Sequence, residues 1–196
     1  MKKTLFIIAL TLFSFAASAQ STLTLGYSPA GSSKYRFIAN DESYKYSYNI
    51  NYGITLSYLP EFDFDAIQLA WDLNIINGSV IEDADYTATS SLFEEPGKNL
   101  SQVYFMTNLI LAINRGHRIQ FPVGFGWGFG VASCGIGAMP IILGGLKAQV
   151  RFYITPKFGI YAGANLMGGL GLGSEDASTG TTSSSRFADA GICISL

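Results

Sequence analysis

The chain has 196 residues and is 48% hydrophobic but only 13% charged, against roughly 25% charged in an ordinary soluble domain. A composition so rich in apolar and poor in charged residues excludes disorder, and 12 Lys+Arg against 14 Asp+Glu, a net charge of −2, leave no basic excess for binding nucleic acid. The 22 Gly, 11 Tyr and 14 Phe suit strands and tight turns better than helices.

The first element is an address. Met1-Lys2-Lys3 is positive, Leu5 to Ala16 is uncharged and mostly apolar, and Ala17-Ser18-Ala19 is a small-x-small site before Gln20. A membrane helix needs ~20 apolar residues. This run has 12, so the reading is a signal peptide cleaved after Ala19, with export through the Sec pathway. No Cys follows the cleavage site, so no acylated first residue is expected. Residues 20–196 remain as one domain of 177 residues, with 10 basic against 14 acidic side chains. They contain no long apolar run, so the chain either stays soluble or enters a membrane as strands.

Eight period-two segments follow. Leu23, Leu25 and Tyr27 mark the first. The second runs over Tyr46–Tyr58, where Tyr46, Tyr48, Ile50, Tyr52, Ile54, Leu56 and Tyr58 alternate with small or polar residues and are read as one apolar face. In the third, Ile67 to Ile75, the apolar set opposes Gln68, Asp72 and Asn74; in the fourth, Val103 to Leu111, it opposes Gln102, Tyr104, Met106 and Asn108. The fifth, Ile119 to Phe129, opposes large apolar residues to Gly124, Gly126, Gly128 and Gly130. The sixth carries Lys147, Gln149 and Arg151 on its polar face, the seventh Tyr161, Gly163 and Asn165, and the eighth Asp189, Gly191 and Cys193.

The connections alternate in length. Pro29–Lys45, Asn77–Leu100, Ala132–Pro140 and Gly173–Ser185 are long, whereas Leu59–Asp63, Asn114–His117 and Thr155–Lys157 are short. Short periplasmic turns and long extracellular loops belong to an up-and-down membrane barrel. Aromatic residues gather at both strand ends: Tyr27, Tyr46, Tyr48, Trp127 and Phe129 toward the long loops, and Tyr58, Phe121, Phe152 and Phe158 toward the short turns. The predicted fold is all-β, an eight-stranded antiparallel transmembrane β-barrel. A soluble lipocalin-like barrel is the rival, and it gives no reason for the alternation of connections.

The pattern resembles the small eight-stranded outer-membrane barrels, the OmpX-like family and the membrane part of OmpA-like proteins. The final Asp189-Ala190-Gly191-Ile192-Cys193-Ile194-Ser195-Leu196 is similar to the signal read by the barrel-assembly machinery, with Leu196 where an aromatic usually stands. The resemblance implies an outer-membrane location and lipid and lipopolysaccharide as neighbours. No peptidoglycan-binding domain is expected after the eighth strand.

An eight-stranded barrel has a lumen that side chains can fill. Asp72, Lys147, Arg151 and Asp189 all fall on the inward parity and sum to zero, and such charges are tolerable inside only when paired and hydrogen-bonded. Gln68, Asn74, Asn108, Gln149 and Asn165 are placed to complete a polar plug, or alternatively to line a narrow path for water or small solutes. The glycines of GFGWGFG lie inside a strand, so they make room for Tyr104, Tyr153 and Tyr161 and do not cradle a nucleotide. His117, the one histidine, falls in a short turn, where a lipid-modifying site is not expected. Cys134 and Cys193 belong at opposite ends of the barrel, too far apart for a disulfide. Glu82, Asp83, Asp85, Glu94 and Glu95 make the second long loop acidic, suited to cation-bridged contact with lipopolysaccharide or to a basic partner. No cofactor or metal is implied. The leading expectation is a non-enzymatic structural or surface-interaction protein; a narrow channel and a lipid-modifying enzyme are the alternatives.

Overall fold

The computed structural model describes residues 21–39, 42–60, 67–81, 99–114, 116–134, 138–171 and 179–196. Eight strands run β1 Ser21–Ala39, β2 Glu42–Pro60, β3 Ile67–Val80, β4 Asn99–Ile113, β5 Ile119–Ser133, β6 Ala138–Tyr153, β7 Phe158–Gly171 and β8 Thr179–Ser195. Each pairs antiparallel with its sequence neighbours, and β8 returns to β1, closing the barrel and removing every free edge. The start of β1 meets the last residue at what is the terminal end of the barrel, where Leu196 N–H donates to the Ser21 carbonyl at 2.8 Å. This terminal end also holds the links β2–β3, β4–β5 and β6–β7; the far end holds the other four.

Alternation decides which side chains face inward. Along β3 and β4 every second residue is buried, from Gln68 through Asp72 to Ile76 and from Leu100 through Tyr104 to Asn108. The opposite parity is apolar yet exposed: Phe129 is 67% and Leu170 62% accessible. A soluble monomer rarely shows so large an apolar band, whereas a lipid-facing wall requires one. Tyr27, Trp127 and Phe129 lie exposed toward the far end and Phe121, Phe152 and Phe158 toward the terminal end, where Tyr58 stacks on Trp71 at 6.0 Å. That is the expected pair of girdles, with one correction.

Tyr46 and Tyr48 do not belong to the outer girdle. The β2–β3 register shifts between Ile50 and Tyr52, and this bulge turns the strand over. Tyr46, Tyr48 and Ile50 are buried in the lumen, whereas Tyr52, Ile54 and Leu56 face outward, so the thirteen-residue alternation spans two opposite faces. A second shift, between Tyr27 and Ala30, does the same in β1: Leu25 and Tyr27 face outward below it, and Tyr35 faces inward above it. The reason is the medium. Beyond the apolar band the outer wall meets water, so Lys34, Lys45 and Asn49 face out and the tyrosines turn in.

The strands are also longer than the sequence pattern suggests, at 14 to 19 residues. Most of Pro29–Lys45 is β1 and β2 paired beyond the girdle, with residues 40 and 41 between them, and residues 179–185 belong to β8. Of the far-end links, the longest is the eighteen residues between β3 and β4. The acidic residues Glu82, Asp83, Asp85, Glu94 and Glu95 and the expected signal peptide, residues 1–19, lie outside the described residues.

Candidate functional site

The lumen is the place where polar chemistry concentrates. Asp72, Lys147, Gln149, Arg151, Asp189 and Gln68 are each no more than 4% exposed. Lys147, on β6, reaches across the barrel to Asp72 on β3: its Nζ lies 2.6 Å from Asp72 Oδ2 and donates to Ser57 Oγ at 2.9 Å. Asp189, on β8, accepts from Tyr161 OH at 2.9 Å and from Asn165 Nδ2 at 3.0 Å. Arg151 turns to Gln149 two residues away on its own strand, its Nη2 donating to Oε1 at 2.9 Å. The two acids and two bases therefore form one ion pair; among the described residues no carboxylate lies within ion-pair distance of Arg151. Thr55 Oγ1 donates to Asn74 Oδ1 at 2.8 Å in the same layer. Gln68 is buried but bonds to none of these groups, and instead lines a cavity of about 350 Å³ at the terminal end beside His117, Arg118 and Gln120.

Above this layer lies a plug that the strand pattern alone does not reveal. Tyr35, Tyr48, Leu100, Tyr104, Ile141 and Phe187 pack together in the far half of the lumen. Tyr35 meets Tyr48 edge-to-face at 6.0 Å, its hydroxyl is bonded to Gln102, and Ser33 shares a 2.6 Å hydrogen bond with Ser185. The signal was present in the repeated tyrosines, but only the two bulges turn them inward.

The inward glycines make that packing possible. A β-carbon on Gly124, Gly126, Gly128 or Gly130 would collide with β4: with the carbonyls of Leu109 and Phe105 and the side chains of Asn108 and Tyr104. Tyr161 lies in the same way across Gly26, with its hydroxyl where a β-carbon would sit. So the GFGWGFG run serves close packing, with Tyr104 as one of the occupants expected for it.

His117 is exposed in the β4–β5 link beside Gly116, whose φ of 79° suits only glycine well, and it is far in sequence from every lumen charge. Cys134, just beyond β5, and Cys193, near the end of β8, are both buried and free. Burial pushes the Cys134 thiol up to about 12, partly offset by a hydrogen bond from Tyr48. Among the described residues no three His, Cys, Asp or Glu side chains converge as a metal site.

No family model and no curated relative matches this chain. Solved structures do. Neisserial surface protein A is 10% identical over 89% of this chain and 97% of its own, with a TM-score of 0.52. The outer membrane protein OprG from Pseudomonas aeruginosa is 9% identical, over 91% and 96%, at 0.53. The outer membrane protein AlkL, solved in lipid bilayers, is 8% identical, over 91% and 90%, at 0.51. Such low identity speaks for architecture alone: this chain has the fold of the small eight-stranded outer-membrane barrels.

Proposed function

We propose that the protein is an integral outer-membrane barrel with a closed lumen, exported through the Sec pathway and inserted by way of its C-terminal strand. It acts as a non-enzymatic structural or surface-interaction element through its far end, which is the extracellular side. The observation that carries this reading is the double filling of the lumen. A charged layer built on Lys147 and Asp72 is capped by the aromatic layer of Tyr35, Tyr48 and Tyr104. The apolar band and two girdles support the membrane setting.

A narrow water or solute path is the second reading. In its favour, Asp72 Oδ1, Tyr104 OH, Asn108 Nδ2 and Gln149 Nε2 are buried in the lumen without protein partners, a polar string that a hydrated path would use. Planar-bilayer conductance of the refolded barrel separates the two, with heat-dependent gel mobility as the folding control. The closed reading expects silence from a heat-modifiable protein; steady channels altered by Lys147→Gln would overturn it.

A further inference from the structure

The outer wall carries a feature that the lumen does not explain. The pairing register places three rows of outward residues side by side across β6, β7, β8, β1 and β2. One row is Leu146, Leu166, Arg186, Ser32 and Asn49; the next is Gly144, Gly168, Ser184, Lys34 and Ser47. The third is Ile142, Leu170, Thr182, Arg36 and Lys45. On β6 and β7 the middle row is glycine where its neighbours are Leu146, Leu166, Ile142 and Leu170. A β-carbon on Gly144 or Gly168 would meet nothing closer than 3.8 Å, so these glycines form the floor of a trough and do not relieve a clash.

Two adjoining cavities follow. The lower, of about 400 Å³, runs from Leu146 and Leu166 over Gly168 to Lys34 and Arg186. The upper, of about 430 Å³, shares Lys34 and Ser184 with it and continues to Arg36, Lys45, Ser47 and Thr182. The lower end opens on the lipid-facing band and the upper on the water-facing strand extensions. Arg186 Nε donates to Ser32 Oγ at 2.9 Å, which orients the guanidinium. The ammonium groups of Lys34 and Lys45 are exposed and have no ion-pair partner among the described residues. Among the residues whose side chains are described, no Asp or Glu faces outward on this stretch of β8, β1 and β2.

We propose that this trough binds one outer-leaflet glycolipid with a phosphorylated sugar head, its acyl chain over Gly168 and its phosphate between Lys34 and Arg186. Cations at the rim of an apolar groove match an anionic head joined to acyl chains, and Ser184, Ser47 and Thr182 supply hydroxyl partners for sugar. The site sits on the wall, not in the acidic β3–β4 link, so the contact with lipid needs no bridging cation. The inference rests on the outer-membrane reading and names a partner for it.

The test is the thermal midpoint of gel mobility for the full mature barrel in phosphatidylcholine vesicles, titrated with purified lipopolysaccharide. Wild type should gain stability. The glycolipid fraction giving half of that gain should rise roughly fivefold for each cation removed in Lys34→Gln and Arg186→Gln. Gly168→Leu, which fills the trough from outside, should abolish the gain yet fold normally without glycolipid. Equal gains in wild type and all three variants would overturn the proposal. So would an equal gain from the deacylated sugar phosphate, which would assign the cations to a soluble anion, or from dephosphorylated glycolipid, which would remove the phosphate contact. A chain that never becomes heat-modifiable in vesicles would instead refute the membrane reading itself.

Discussion

Replacing Lys147 by methionine removes the one hydrogen-bond partner of Asp72 among the described residues, since Asp72 Oδ1 already has none and Oδ2 bonds to Lys147 alone. Asp72 is 3% exposed, so the carboxylate has no water to turn to. Breaking one side of such a buried pair costs about 3–5 kcal/mol, against about 0–1 kcal/mol for a pair at the surface. Methionine keeps the volume of the lysine stem, so little of the loss comes from a cavity. The double variant Lys147→Met/Asp72→Leu removes both charges and should recover most of the loss, because an apolar replacement of a buried pair is often neutral or stabilising. Reversible urea unfolding in lipid vesicles reads both values. A single-variant loss below about 1 kcal/mol would refute the closed polar layer, because it would mean that water reaches Asp72.

Other predictions concern packing, faces and thiols. Gly128→Val should cost at least about 1–3 kcal/mol or prevent folding, because its β-carbon would collide with the Phe105 carbonyl and lie 2.8 Å from Met106 Cα; normal refolding yield would contradict that placement. In a Cys134→Ala/Cys193→Ala background, Asn49→Cys should react with a water-soluble maleimide in vesicles, Tyr52→Cys only with a lipid-soluble one, and Tyr48→Cys with neither until unfolding. Identical behaviour at positions 48 and 52 would mean that β2 has no bulge. The native Cys134 should resist alkylation until the barrel unfolds. Its folded thiol holds its proton up to about 12, against 9.0 for an ordinary thiol, so its contribution to stability is complete below pH 9 and is lost as pH rises toward 12. Unfolding midpoints that rise across that window would contradict the sign.

Period-two alternation was enough, from sequence, to set eight strands, their order and the inward parity of Asp72, Lys147, Arg151 and Asp189. It works within the apolar band because one medium, lipid, covers the outer face of every strand there, and apolar-out becomes a constant rule. The GFGWGFG run was equally legible, since glycines that alternate with Phe125, Trp127 and Phe129 can only share a face. Where the medium changes, the rule inverts. Tyr46 to Tyr58 keeps one unbroken alternation in sequence, yet the bulge at Asn51 sends its two halves to opposite faces, one to the lumen and one to lipid. Nothing local marks that switch, because a bulge exchanges inside for outside without disturbing the spacing of apolar residues.

Partner choice inside the barrel was also beyond the sequence. Lys147 meets Asp72 from 75 positions away, while Arg151 settles on Gln149 within its own strand. The stagger of eight closed strands decides which inward rows reach one another across the lumen. The basic trough has the same origin: Lys34, Lys45 and Arg186 are scattered in sequence, and only the register of β8, β1 and β2 sets them on one wall beside the exposed glycines of β6 and β7. The sequence by itself determined the pleat and its two faces, which depend on neighbours two residues apart. Only the tertiary structure decided which charges pair and where the wall is grooved, because those contacts exist once the barrel has closed.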